Sequence, residues 1–206
     1  MAERLELHPK TPQARLLRAA SDCLRDGGVI VYPTDSCYAL GCAIGAKAAM
    51  ERIQRLRQVG KRHFFTVICR DLSEIAHFAR VENWQYRQLK SCTPGPYTFV
   101  LKATREVPRR LLEERRKTVG IRVPDHPVVR LLLAEYGAPL MSTTLLLPGD
   151  DQPLTDARDI EARIGAAVDL ILDGGNCGLE PSTIVDLSGK APVILRTGKG
   201  DPRPFQ

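Results

Sequence analysis

The chain of 206 residues has little of what marks membrane, disulfide-bonded or metal-centred proteins. No apolar run approaches the roughly 18–20 residues that cross a bilayer, and residues 1–6 lack the apolar centre of a signal peptide. The six cysteines form no Cys-x-x-Cys pair, and the four histidines show no metal-ligand spacing. We therefore expect a cytoplasmic protein with reduced thiols, no membrane association and no metal site.

The common signatures of nucleotide-binding and hydrolytic sites are also missing. The chain contains no P-loop, Gly-x-x-x-x-Gly-Lys-Ser/Thr, and no Gly-x-Gly-x-x-Gly after a strand. It has no Gly-x-Ser-x-Gly elbow and no His-Glu-x-x-His helix. Aromatic residues make up 5% of the chain, which argues against stacking platforms for single-stranded nucleic acid. A nucleotide site in this protein must therefore be of another design.

Basic residues exceed acidic ones, with 30 Lys and Arg against 24 Asp and Glu and a formal net charge of +6. Such an excess favours acidic partners such as nucleotides or nucleic acid. Much of the charge lies in two clusters, at 52–62 and 105–117. A solvated helix face with ion pairs is one interpretation of these clusters, and a phosphate-binding surface is the other.

Apolar stretches typical of strands alternate with helical periodicities along the chain. Thr11-Pro12 has the residues of a helix start, and Asp71 with Glu74 has the spacing of a helix cap. Predicted helices cover the segment after residue 11, 46–58, 82–91, 108–117, 127–136 and 157–167. Predicted strands cover 29–32, 64–69, 97–102, 119–123, 140–147, 170–172, 183–187 and 193–196. The alternation predicts one α/β domain over residues 1–206, a twisted mixed sheet flanked by helices.

Five loops next to predicted strands are rich in Gly, Pro, Ser, Thr and Asp. They cover residues 33–41, 93–98, 142–144, 173–175 and 181–183. Any one of them fits an ordinary turn. Together they favour a ligand site, because glycine lets a ligand approach the backbone and the loops supply hydroxyl and N–H donors.

Six segments in order resemble the signatures of the YrdC/YciO family, the threonylcarbamoyl-adenylate synthases. The first is Pro33-Thr34-Asp35 with Tyr38 and Leu40-Gly41. The others are residues 93–101, 119–127, 168–175, 181–186 and 195–198. The likeness covers residues 12–200, taken as the core of a YrdC-like domain.

The resemblance implies an α/β fold with a basic concave face and a defined reaction. L-Threonine, bicarbonate and ATP give threonylcarbamoyl-adenylate and pyrophosphate, and the product serves tRNA modification. Mg-ATP is expected as a substrate, with no tightly bound cofactor. Positioning and neutralisation of phosphate charge would supply most of the catalysis, because such a transfer needs little covalent help.

The resemblance also implies roles for individual residues. The expected catalytic residues are Arg57, Lys61, Arg122 and Arg196. The expected substrate-binding residues are Thr34, Tyr38, Thr66, Ser182 and Thr183. The expected nucleotide-binding residues are Ser142, Thr144, Arg62 and Arg196. For Arg122 the alternative is a surface or salt-bridged strand residue.

The chain departs from the synthases at two places. They carry Lys-x-Arg after the second helix, where this chain has Arg57 and Val59, with Lys61 and Arg62 just beyond. They also carry Ser-x-Asn where residues 142–144 are Ser-Thr-Thr. Loss of the amide removes a group that both donates and accepts hydrogen bonds. These departures resemble the YciO branch of the family and predict weak or altered activity.

The family is associated with binding double-stranded RNA, which makes the basic cluster at 105–117 a candidate RNA surface. The expected RNA-binding residues are Arg109, Arg110, Arg115, Arg116 and Lys117. Backbone and shape contacts with double-stranded RNA or tRNA would dominate.

Two hypotheses of different classes stay open. One is a synthase-type enzyme of reduced rate that also binds RNA, and the other is a non-catalytic double-stranded RNA-binding protein that keeps the family cleft. A relative that binds a different nucleotide is a third possibility. A monomer is expected in each case.

Overall fold

The computed structural model describes residues 1–60, 65–113 and 115–206. Within them the helices are α1 Ala14–Arg25, α2 Lys47–Leu56, α3 Leu72–Phe78, α4 Asn83–Cys92, α5 Pro127–Tyr136 and α6 Ala157–Ile164. The strands are β1 Glu3–Glu6, β2 Ile30–Tyr32, β3 Ala39–Ala43, β4 Thr66–Ile68, β5 Ala79–Arg80, β6 Tyr97–Ala103, β7 Thr118–Arg122, β8 Leu140–Thr144, β9 Leu170–Asp173, β10 Thr183–Asp186 and β11 Val193–Arg196. Short 3₁₀ turns cover Arg109–Leu111 and Arg203–Phe205. In this part of the chain no helix is long and apolar enough to cross a membrane.

The described strands form one mixed sheet in the order β1-β9-β2-β3-β8-β4-β7-β6-β10-β11, with β5 paired to β6. β1, β9 and β2 run parallel, as do β4 with β7 and β6 with β10. The central pairs β2–β3, β3–β8, β8–β4 and β7–β6 are antiparallel. The predicted mixed α/β sheet flanked by helices is therefore confirmed.

Helices cover the two faces of the sheet unequally. On one face Val31, Leu40, Val67, Phe99 and Ile121 join a core to which α2, α3, α4 and α6 contribute. On the other face α1 and α5 pack mainly over β1, β9, β2 and β3. Successive strand residues point to opposite faces. On the second face, the described helices do not cover β4, β7, β6 and β10.

The predicted start of the first helix at Thr11-Pro12 is wrong. α1 begins at Ala14, with Gln13 in the N-cap position. The Thr11 hydroxyl instead pairs with Nδ1 of His8 at 2.8 Å. Asp71, in contrast, does cap α3, where its carboxylate accepts the N–H groups of residues 73 and 74.

The predicted basic helix at 108–117 is also wrong. After the 3₁₀ turn Arg109–Leu111 the Glu113 carboxylate accepts the backbone N–H of Arg116, and Lys117 adopts a φ of 52°. These contacts turn the chain directly into β7, because the side-chain carboxylate competes for the N–H groups that a helix would use.

Candidate functional site

A pocket of about 190 Å³ lies on the open part of the sheet. Its wall combines the β2–β3 loop (residues 33–38), the end of α2 and side chains from β3, β4, β6, β7, β8 and the β10–β11 end of the sheet. Eight Ser and Thr side chains and three arginines line it, and among the described residues no carboxylate does. We call it the arginine pocket, after Arg57, Arg122 and Arg196. Its cations and hydroxyls suit a phosphate or carboxylate group.

Many of the residues expected at a site meet in this pocket. They are Thr34, Tyr38, Arg57, Thr66, Arg122, Ser142, Thr144, Ser182 and Arg196. Lys61 and Arg62 lie outside the described residues. Thr183 is fully buried, and its hydroxyl donates to the carbonyl oxygen of Gly200 at 2.6 Å. Thr183 therefore supports the segment after β11 and does not form the described pocket wall.

Arg122 ties β7 to the β2–β3 loop. One of its terminal nitrogens donates to the Asp35 carboxylate, to Ser36 Oγ at 2.9 Å and to Thr34 Oγ1 at 3.4 Å. The other oxygen of that carboxylate accepts the N–H of Asp125 at 2.8 Å. The Arg122 and Asp35 side chains are 9% and 10% exposed, so this is a buried ion pair. Arg122 thus both lines the pocket and is salt-bridged, and its buried Nε makes no hydrogen bond.

Thr34 gives the β2–β3 loop its shape. Its hydroxyl donates to the Cys37 carbonyl oxygen at 2.6 Å and accepts the N–H groups of Ser36 at 3.2 Å and of Cys37 at 3.3 Å. Such local bonds replace strand pairing with a turn. The turn brings Asp35 and Ser36 to Arg122, so the described contacts of Thr34 are structural.

Arg196 on β11 is held by the carbonyl and hydroxyl oxygens of Ser182. Its guanidinium donates to the Ser182 carbonyl oxygen at 2.7 and 3.2 Å, and it forms no ion pair with a carboxylate in the described part of the chain. Burial lowers the pKa of Arg196, and the nearby charge of Arg122 lowers it further. An arginine remains protonated near neutral pH, so the pocket holds a positive charge that an anionic ligand can neutralise.

Arg57 joins the end of α2 to the strand end of β8. It lies at the C-cap of α2, and its Nε donates to the Leu146 carbonyl oxygen at 3.0 Å. A second nitrogen donates to Thr143 Oγ1. Burial lowers the pKa of Arg57. The first position of the altered Lys-x-Arg pair therefore still places a cation in the pocket.

The hydroxyl groups of the pocket differ in availability. Ser142 accepts from the Tyr32 phenol at 2.6 Å and donates to the Leu40 carbonyl oxygen at 3.1 Å, so its proton is already used. Thr66 and Thr144 line the pocket, and none of the described residues hydrogen-bonds their hydroxyls. These two hydroxyls are free to bind a ligand.

Four polar residues of this region were not expected as site residues: Asp35, Ser36, Thr98 and Thr143. Thr98 pairs with Ser182 Oγ at 2.7 Å, and Thr143 accepts from Arg57. The available signal was their position in the polar loops 33–41, 93–98 and 142–144. Their partners lie far away in the sequence, which local patterns do not reveal.

Two of the expected RNA-binding residues, Arg116 and Lys117, lie away from the pocket, near the end of β6 and the start of β7. An open cleft there, here called the basic cleft, is lined by four cations, Arg80, Lys102, Arg116 and Lys117, and by one acid, Glu82. Arg116 also pairs with the Asp186 carboxylate. The other expected RNA residues, Arg109 and Arg115, are exposed, while the side chain of Arg110 is outside the described part.

Comparisons with known proteins point to one family. A family model named Sua5/YciO/YrdC, described as telomere recombination, matches residues 22–198. YciO of Escherichia coli K12 is 51% identical over 205 residues, which covers 100% of both chains. The E. coli YciO crystal structure superposes with a TM-score of 0.96 at 50% identity and full coverage of both chains.

More distant relatives have named activities or ligands. The threonylcarbamoyl-AMP synthase of Chromobacterium violaceum is 35% identical over 182 residues, covering 87% of this chain and 92% of that one. The structure of P. abyssi Sua5 complexed with L-threonine has a TM-score of 0.87 at 24% identity, and the match covers 96% of this chain and 58% of that chain. That likeness shows the fold.

Proposed function

Since the chain belongs to the Sua5/YciO/YrdC family, we propose that its arginine pocket forms threonylcarbamoyl-adenylate from L-threonine, bicarbonate and Mg-ATP at a reduced rate. The main support for the proposal is the wall of the pocket, which contains three arginines and, among the described residues, no carboxylate. A named synthase among the relatives and a Sua5 structure with L-threonine support the choice of substrates.

The chemistry requires two bond-forming steps. The threonine amine forms a bond to the carbon of bicarbonate and water leaves, which gives a carbamate. A carbamate oxygen then attacks the α-phosphorus of ATP, and the bond to pyrophosphate breaks. Negative charge builds up on the phosphates and on pyrophosphate, where arginines stabilise it. Magnesium enters with ATP, held by phosphates and water.

The pocket residues fit these steps. Arg196 and Arg57 supply cations for the phosphates, and the free hydroxyls of Thr66 and Thr144 supply donors. Arg122 is engaged by Asp35 and holds the β2–β3 loop in place. Thr144 stands where the synthases have an amide, and the missing contact accounts for a slower reaction, since one such contact contributes roughly 2–4 kcal/mol.

The test is a direct assay of product. Purified protein is incubated with L-threonine, bicarbonate and Mg-ATP, and threonylcarbamoyl-adenylate and pyrophosphate are measured by mass spectrometry. Arg196→Ala should lose the product, whereas the control Arg158→Ala, an exposed residue of α6, should keep it. If the wild-type protein neither forms the product nor binds ATP or threonine, the proposal fails.

A second candidate function is binding of double-stranded RNA, with or without catalysis. Lys102 lies four residues beyond Thr98 on β6, so both side chains point to the open face, about 13 Å apart at ~3.3 Å per residue. The open face could thus contact an RNA backbone from the pocket to the basic cleft.

This candidate predicts a steep dependence on salt. Affinity should fall by orders of magnitude between about 50 and 200 mM salt, and Arg115→Glu, Arg116→Glu and Lys117→Glu together should weaken binding to all duplex sequences alike. A flat salt response in a duplex RNA titration would argue for the enzyme alone. RNA binding without product formation would favour the non-catalytic alternative.

A further inference from the structure

The segment after β11 has a tightly held backbone at the rim of the pocket. The N–H of Lys199 donates to the Pro181 carbonyl oxygen at 2.9 Å, and the N–H of Gly198 donates to Thr183 Oγ1 at 2.9 Å. A Cβ on Gly198 would lie 2.2 Å from the Pro181 carbonyl oxygen, so a larger residue does not fit there. The backbone position of Lys199 is therefore fixed.

The ammonium group of Lys199 reaches across to the β2–β3 loop. It donates to the backbone carbonyl oxygen of Asp35. The Asp35 carboxylate is already used by Arg122 and by the N–H of Asp125. Lys199 forms no ion pair with any carboxylate of the described residues. It rests on one neutral acceptor, although an ammonium carries three donors and a full charge.

Lys199 and two arginines of the pocket act on the same buried thiol, Cys37. Burial raises the pKa of Cys37 in the pocket wall, and the charges of Arg122, Arg196 and Lys199 all oppose that rise. Three cations therefore act on one group, and among them Arg122 is paired with the Asp35 carboxylate. An anion with more than one negative charge would relieve the mutual repulsion of these cations.

We propose that Lys199 is a phosphate-binding residue that closes the rim of the arginine pocket over the terminal phosphates of a bound nucleoside triphosphate. The inference rests on the proposed function, because it assigns a new residue to the nucleotide of that same site. On binding, the ammonium leaves the Asp35 carbonyl oxygen for a phosphate oxygen. The exchange is favourable because the negative charge of the phosphate attracts the ammonium, whereas the carbonyl oxygen carries no net charge. The flexible lysine stem allows it without backbone movement.

The test compares ligands that differ only in phosphate content. Calorimetric titrations use ATP, inorganic pyrophosphate and AMP, each with magnesium, against the wild type, Lys199→Met and Lys199→Arg. Lys190→Met, at an exposed position between β10 and β11, is the matched loss of charge. Lys199→Met should bind ATP and pyrophosphate about tenfold more weakly, with AMP binding unchanged. Lys199→Arg should recover most of the affinity, and Lys190→Met should match the wild type.

The outcomes separate this inference from the function on which it rests. If the wild type binds ATP and Lys199→Met binds ATP and pyrophosphate equally tightly, the role of Lys199 is refuted and the function stands. If Lys199→Met weakens AMP as much as ATP, the assignment to the terminal phosphates is refuted. If the wild type binds neither ATP nor pyrophosphate, both the function and the inference fall. Equal thermal melting of the variants would exclude a folding defect as the cause.

Discussion

The buried ion pair between Arg122 and Asp35 holds the β2–β3 loop against β7, and Asp35→Asn should destabilise the protein by about 3 kcal/mol. Both side chains are about nine-tenths buried, at 9% and 10% exposure. Removing one partner of such a pair leaves an uncompensated charge and costs roughly 3–5 kcal/mol. Asparagine keeps one acceptor for Arg122, which is why we expect the lower end of that range.

The loss should be visible in both thermal and urea unfolding. A chain of this size shifts its Tm by about 2–4 °C per kcal/mol, so the melting temperature should fall by roughly 6–12 °C. The matched control is Asp22→Asn, whose partner Arg25 and own side chain are 52% and 61% exposed. An exposed pair contributes less than about 1 kcal/mol, so this control should melt close to the wild type.

Circular dichroism of urea unfolding gives the free energy of each variant. The double variant Asp35→Asn with Arg122→Met should recover part of the loss, because it removes the unpaired charge. Equal stability of Asp35→Asn and Asp22→Asn, within 1 kcal/mol, would refute the reasoning, and so would a double variant less stable than the single one.

Three further predictions concern Tyr32, Gly198 and Cys42. Tyr32→Phe should lower the free energy of unfolding in urea by about 1–2 kcal/mol. Burial raises the pKa of Tyr32 to about 12, so the wild type should lose more stability than this variant as pH rises from about 10, the unfolded value, towards 12. Gly198→Ala should have a much lower melting temperature than Gly189→Ala. The new Cβ would lie 2.2 Å from the Pro181 carbonyl oxygen at position 198, whereas at position 189 no described atom would be nearer than 3.8 Å. Equal melting temperatures would contradict this. Cys42, whose pKa burial raises to about 12, should resist iodoacetamide in the native protein at about pH 8 and react in urea, as peptide mass spectrometry will show.

Elements with strong local signals were predictable from the sequence. The predicted helix 127–136 is α5, Pro127–Tyr136, with proline in its first turn and Gly137 in the left-handed conformation after its end. The predicted strand at 29–32 and the strands near the C-terminus were also found within one or two residues. Proline fixes φ and glycine permits a positive φ wherever they occur, so their positions carry information without tertiary context.

Elements that depend on partners were not predictable. β3 was interpreted as part of a loop, yet Ala39–Ala43 is a buried strand between β2 and β8. Gly41 is needed there because a Cβ would lie 2.7 Å from the Tyr32 ring. The basic stretch at 108–117 had helical residues, but its described part forms a 3₁₀ turn followed by a turn in which the Glu113 carboxylate accepts the N–H of Arg116.

Composition, order of elements and loop motifs were enough to identify the family and the mixed α/β class, because these are properties of the chain read in order. They also named half of the described residues that line the pocket. The shape of the site depends instead on distant pairings: β8 lies between β3 and β4, and Arg122 meets Asp35 from 87 positions away. Such contacts are set by which strands pair and which face each helix covers, and a local pattern contains neither.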